Sequence, residues 1–498
     1  MRKSGILLPI TSLGSEYGIG CFSKEAYDFI DFLYNNGQSL WQILPLGHTG
    51  FGDSPYQSFS AFAGNPYMID LNTLIDEGLI TRQECQKALP KENTGRINYS
   101  DQYQKRYPLL RKAYARSNFN MDAHYRTFYS QNEYWLGDYS LFMALKEHFG
   151  GCMWTKWPED IKQGKNKEKY QEALKTEVGF WNFVQFKFYR QWNKLKSYAN
   201  KKGIEIIGDI PIYVAMDSCD VWANPHLFEL DGNLNPLFVA GCPPDGFSAK
   251  GQLWGNPIYK WQNHKKDGFA WWTQRIKHSL TLYDMLRIDH FRGFESFYSI
   301  PYGSIDATVG TWEKAPGREL FDTIKSHVPD AGIIAEDLGF ITDDVKKLLR
   351  HTGFAGIKVL EFAFDKRDSG MSEDYLPHNY PINSVAYTGT HDNEPISAWF
   401  DALEEKSALK VRKYLCNMHT PNDEMHKSLI SEVMKSPADT VIIPIWDVLG
   451  MGNEARINTP GTQAGNWTWR IKDSVLNNNS ETFLSEMSEL YGRNAKNL

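Results

Sequence analysis

Eight short apolar runs recur along the chain, at residues 5–10, 40–46, 204–209, 285–289, 333–336, 356–362, 384–388 and 440–445, and most end at a proline, a glycine or an acid. Apolar runs that continue without period-two alternation are the pattern of parallel strands buried on both faces. Helical spacing fills several of the gaps. Ala26, Phe29, Ile30 and Leu33 keep three- and four-residue steps before Asn35-Asn36-Gly37 closes the segment, and Val345, Leu348 and Leu349 do the same between residues 342 and 353. Strand, helix, strand is the parallel crossover unit, and eight such strands are the count of a (β/α)8 TIM barrel of the α/β class.

Two stretches interrupt the rhythm, and the expectation is one catalytic barrel over residues 1–498 carrying both as insertions. Residues 72–200 are polar, Tyr-rich and helical in period, and they end in a clear helix with Trp181, Val184, Phe188, Trp192 and Leu195 on one face and Gly203 as its stop. Residues 213–277 are dense in Gly and Pro and read as a loop-rich insertion. Residues 48–66, rich in Gly, Ser, Pro and aromatics, read as a long ordered loop, a type that is usually functional.

Barrel chemistry sits where the strands end. Four acids hold that position: Asp209, Asp289, Glu336 and Asp392. In Leu286-Arg287-Ile288-Asp289 the period of two points Arg287 and Asp289 to one face, and the cation favours an ionised, oriented Asp289. A structural ion pair fits those two residues equally well. Glu336 ends an apolar run with no basic neighbour in sequence, so burial raises its pKa. An ionised carboxylate beside a protonated one is the equipment of a retaining glycosidase. Asp392 then serves to balance an oxocarbenium-like charge or to hold sugar hydroxyls. Taken singly, each acid fits a helix cap or a solvated loop; four at strand ends in order do not fit accident. His290 and His391 adjoin two of these acids and can donate to sugar hydroxyls, and a packed structural histidine fits them as well.

Other chemistries lack support. There is no GxGxxG after a strand, no P-loop and no GxSxG, and the histidines show no metal-ligand spacing, so no cofactor and no metal are expected. With 54 Lys and Arg against 60 Asp and Glu, the net charge of -6 gives no general attraction to nucleic acid or an anionic membrane. Aromatics make up 14% of the chain, more than a core needs, and the surplus suits stacking on sugar rings. The run after Met1-Arg2-Lys3 is broken by Pro9 and is too short for a signal peptide, no stretch is apolar enough to span a membrane, and the six cysteines form no CxxC pair. A cytoplasmic protein is expected.

Arg287-Ile288-Asp289-His290-Phe291-Arg292-Gly293, Ala335-Glu336-Asp337-Leu338-Gly339 and Thr390-His391-Asp392-Asn393 resemble the catalytic segments of the amylomaltases, the 4-α-glucanotransferases of glycoside hydrolase family 77. So do Gly14-Ser15-Glu16-Tyr17-Gly18-Ile19-Gly20, the stretch from Ser54-Pro55-Tyr56 to Gly64-Asn65-Pro66, Pro243-Pro244-Asp245, Trp254-Gly255-Asn256-Pro257, and Ala455-Arg456 through Thr459-Pro460-Gly461 to Asn466-Trp467. The resemblance covers nearly the whole chain and is to the short bacterial form. It implies transfer of α-1,4-glucan segments from maltooligosaccharide, starch or glycogen-type donors to glucose or maltooligosaccharide acceptors. It makes Asp289 the nucleophile, Glu336 the general acid/base and Asp392 the transition-state stabiliser, with Arg287 orienting the nucleophile. Asp209, His391, His290, Tyr56, Trp254, Phe247 and Asn256 then belong to the substrate-binding set, with flexible loops around residues 241–251 and 458–465. The rivals are an α-1,4-glucan hydrolase with the same three acids and a catalytically silent barrel that only binds glycans.

Overall fold

All eight apolar runs form strands, and they close on one another. The structure, a computed structural model, describes residues 2–50, 52–89, 93–244, 248–339, 341–364, 372–462, 464–472 and 478–494. In chain order its strands are β1 (Lys3–Leu7), β2 (Leu40–Gln42), β3 (Glu205–Ile210), β4 (Phe238–Cys242), β5 (Gln252–Pro257), β6 (Met285–Ile288), β7 (Ser296–Pro301), β8 (Thr311–Lys314), β9 (Gly332–Ala335), β10 (Ala355–Val359), β11 (Ser384–Tyr387) and β12 (Thr440–Pro444). Eight of them make a closed parallel barrel in the order β1-β12-β11-β10-β9-β6-β3-β2. The chain is a (β/α)8 TIM barrel.

Between β2 and β3 the chain runs through a series of helices, the longest being Ala123–His148 and Lys175–Lys201. The second of these returns the chain to β3, and Gly203 beyond it takes φ +74°, a conformation that suits a helix stop. Residues 213–277 are less loop-like than their Gly and Pro content suggests. They contain β4 and β5, which pair antiparallel, and β4 pairs in turn with β7 and β7 with β8. Two residues explain why periodicity misses these strands: Gly241 and Gly255 interrupt the side-chain pattern. β8 is exposed along its whole length and carries no buried face to read.

Candidate active site

The loop at residues 47–66 lies over the barrel mouth because the long return helix grips its backbone. Gln185 on that helix accepts from the Gly64 N–H at 2.8 Å and donates to the Gly64 carbonyl at 2.9 Å. A Cβ on Gly64 would come within 2.1 Å of the Phe188 ring, so only glycine allows this approach. His48, buried and with its pKa pushed down to about 3 by desolvation, is neutral and bridges the hydroxyls of Tyr139 and Tyr107 at 2.8 and 2.9 Å. Near the tip, Gln57 and Asn256 exchange side-chain contacts, the shorter 3.0 Å, and Asn256 also donates to the Val214 carbonyl. This bracing presents Tyr56 to the strand ends.

Asp209 and Arg287 are register partners on β3 and β6. Both are buried, at 0% and 3% exposure, and Arg287 Nη1 reaches both Asp209 oxygens at 2.8 and 2.7 Å. Its Nη2 lies 3.1 Å from Asp289 Oδ1. Tyr56 donates to Asp209 Oδ2 at 2.8 Å, so the His391 Nε2 at 2.9 Å from the same hydroxyl must be the protonated nitrogen. The His391 ring stacks on Tyr56 at 5.3 Å, and Trp467 leans on both. Burial lowers the His391 pKa and keeps the ring neutral.

Asp289 follows β6 with its side chain 28% exposed. The next residue, His290, takes φ +50°, an uncommon conformation for a non-glycine residue. That turn aims its N–H at Glu336 Oε2, 2.7 Å away, while the Leu338 N–H reaches Oε1 at 3.0 Å. Each oxygen keeps a second lone pair, and one of these can carry a proton. Desolvation, and then the charge of Asp289, push the Glu336 pKa far up despite Arg287 and the two backbone donors. Asp289 is pushed up as well, by desolvation, with Arg287 opposing and the charges of Asp209 and Asp392 adding. Arg287, 3.1 Å from Asp289 Oδ1, favours the charge on Asp289, which leaves the proton of the pair to Glu336.

Asp392 closes the third side. Its Oδ2 is 3.4 Å from His391 Nε2, and its Oδ1 accepts from Asn458 Nδ2 at 2.6 Å. Trp254 sets its ring edge-on to His290 at 4.8 Å, and the His290 Nε2 is buried without a partner. The three carboxyls thus form one cluster, Asp289 within electrostatic reach of both Glu336 and Asp392, together with Arg287, Tyr56, His391, His290 and Trp254. Asp209 lies beneath it, its oxygens already engaged, so a sugar reaches Asp209 only by displacing the Tyr56 hydroxyl. Asn256 braces the Tyr56 loop from the side. Phe247 lies outside the described residues. Sequence reading missed Glu361, Asn458 as a partner of Asp392, and Trp467 as a wall of the site. Glu361 did leave a signal, as a lone acid inside the apolar run at residues 356–362.

The comparisons with known proteins show the family. The family model described as 4-alpha-glucanotransferase matches residues 8–477. The chain belongs to the 4-α-glucanotransferase family. Curated family members include the 4-alpha-glucanotransferase of Clostridium butyricum, 48% identical over 97% of this chain and 99% of that protein. That of Aquifex aeolicus is 46% identical over 99% of this chain and 100% of its own length. Among solved structures, the amylomaltase from Streptococcus agalactiae in complex with acarbose superposes with a TM-score of 0.94 at 42% identity, covering 99% of this chain and all of that one.

Proposed function

We propose that this family member disproportionates α-1,4-glucans by double displacement through a covalent glycosyl-enzyme on Asp289. The observation that carries the reading is the juxtaposition of Asp289, held by Arg287, with Glu336, held by the His290 and Leu338 N–H groups. The ionised Asp289, steadied by Arg287, attacks the anomeric carbon while Glu336 gives its proton to the departing glycosidic oxygen. Glu336, now a carboxylate, then takes the proton of an acceptor hydroxyl as that oxygen displaces Asp289 from the anomeric carbon. Asp392, oriented by Asn458, faces the sugar where positive charge develops. The unpartnered Nε2 of His290 and the Trp254 ring supply a polar contact and an apolar wall for a neighbouring glucose unit.

The helices between β2 and β3, and residues 213–277, are read as elaborations of the single barrel. The first supports the Tyr56 loop and the second supplies Trp254 and Asn256, walls that favour an acceptor sugar over water. Among the described residues no helix is long and apolar enough to cross a membrane. The six thiols are unpaired, which supports a cytoplasmic setting.

Incubation with maltotriose is expected to give glucose together with maltopentaose and longer chains, read by chromatography of the products. Glucose and maltose alone would instead mean hydrolysis. The pH profile of kcat/KM is expected to be a bell, with Asp289 protonation on the acid limb and Glu336 deprotonation on the basic limb. Both pKa values are raised, so both limbs lie above the ordinary carboxylate range near pH 4. Activity that holds unchanged down to that range would contradict the shared proton.

A further inference from the structure

Behind the loop that presents His391 and Asp392 sits a carboxyl that the double displacement does not use. Glu361 lies just past β10 and is buried. Its Oε2 accepts a 2.9 Å bond from Asn393 Nδ2, and its Oε1 has no partner. Oε1 occupies space left by Gly389, where a Cβ would come within 2.7 Å of it. The Asn393 amide has only one orientation. Its Oδ1 accepts from the Thr390 N–H at 2.9 Å and the Thr390 hydroxyl at 2.8 Å, so its NH2 must face Glu361. The Thr390 hydroxyl in turn accepts from the Asp392 N–H at 3.3 Å. An oriented chain therefore runs from Glu361 through Asn393 and Thr390 to the backbone of Asp392.

The surroundings favour a neutral acid at its origin. Burial, and then the nearby charge of Asp447, hold the Glu361 carboxyl well above the usual range; Glu394 adds to this and Arg456 opposes it. Asp447 occupies the other flank of the same loop, accepting from Thr388 Oγ1 and the Ile396 N–H. A neutral carboxyl costs less to bury than an ion, and its carbonyl oxygen suffices to accept from Asn393.

We propose that Glu361 is a positioning residue for Asp392, acting through Asn393 and Thr390. The inference rests on the role of Asp392 proposed above. Since only a neutral acceptor is required, the amide should replace the acid: Glu361→Gln is expected to keep kcat with maltotriose within about threefold. Glu361→Ala is expected to lose about 10²-fold in kcat with little change in KM, the scale of a small displacement of a reacting group. The same loss is expected with α-maltosyl fluoride as donor, because fluoride departs without a proton and the defect does not run through Glu336. Asn393→Ala reads the same link from its part-exposed end should Glu361→Ala fail to fold, and the double variant should be no slower than the worse single one. Glu361→Gln losing as much as Glu361→Ala, or additive losses in the double variant, would overturn the inference. Asp392→Asn is measured beside them. If it is inactive while Glu361→Ala keeps its kcat, the positioning role alone falls; if Asp392→Asn stays active, the reading of Asp392 falls and takes the inference with it.

Discussion

Asp289→Asn is expected to lower kcat by ~10⁴-fold or more, since the amide cannot form the glycosyl ester on which the double displacement depends. Rate loss alone does not separate a nucleophile from an acid, but intact-protein mass spectrometry with α-maltosyl fluoride does. Glu336→Gln should accumulate a maltosyl adduct, because fluoride leaves without an acid while the second step lacks its base. Asp289→Asn should form none. Stability is expected to move the other way. Both carboxyls have folded-state pKa values raised above their unfolded values, so their contribution is fully present below about pH 4 and is lost as the pH rises through the folded values. At pH 7 Asp289→Asn removes a partly desolvated charge while Arg287 keeps its bonds to Asp209. Its melting midpoint should therefore exceed that of the parent at pH 7, with the advantage shrinking toward pH 4. An adduct on the Asp289→Asn protein would sink the assignment.

The barrel was legible because parallel strands buried on both faces write themselves as unbroken apolar runs, and all eight runs became barrel strands with ends shifted by a few residues. The small antiparallel sheet was not legible, because β4 and β5 sit among glycines and prolines that mark loops and β8 has no buried face. The acids at the strand ends could be read one by one, since a charge that closes an apolar run marks the point where the strand leaves the core. Their partners could not. Arg287 looked like a neighbour of Asp289 in sequence, yet its shortest bonds go to Asp209, which lies 78 residues away and meets it through the β3–β6 register. Glu336 seemed to have no basic neighbour, yet the same guanidinium acts on it from the neighbouring strand. Asn458 reaches Asp392 from 66 residues downstream. Cross-strand pairing decides the first two of these contacts and loop packing the third, and local periodicity carries no record of either.

That register makes Arg287 the residue whose loss should damage the fold most. One guanidinium holds two carboxylates, and one of these, Asp209, has no exposed surface. Arg287→Met keeps the length and apolar stem of the side chain but leaves Asp209 with Tyr56 alone. Removing one partner of a buried pair typically costs about 3–5 kcal/mol, because the remaining charge has neither water nor a counter-ion. Urea unfolding should show a loss of that size, or the variant should fail to accumulate as soluble protein. A loss below about 1 kcal/mol, the scale of an exposed pair, would mean that water reaches Asp209 and that the site is more open than its burial indicates. The cause can be isolated by adding Asp209→Asn to the Arg287→Met background. The amide can still accept from Tyr56 and carries no charge, so most of the stability should return. Activity should not return with it. Without the cation, desolvation would carry the Asp289 pKa higher still, the nucleophile would hold its proton at neutral pH, and the acid limb of any residual rate would move further up the pH scale.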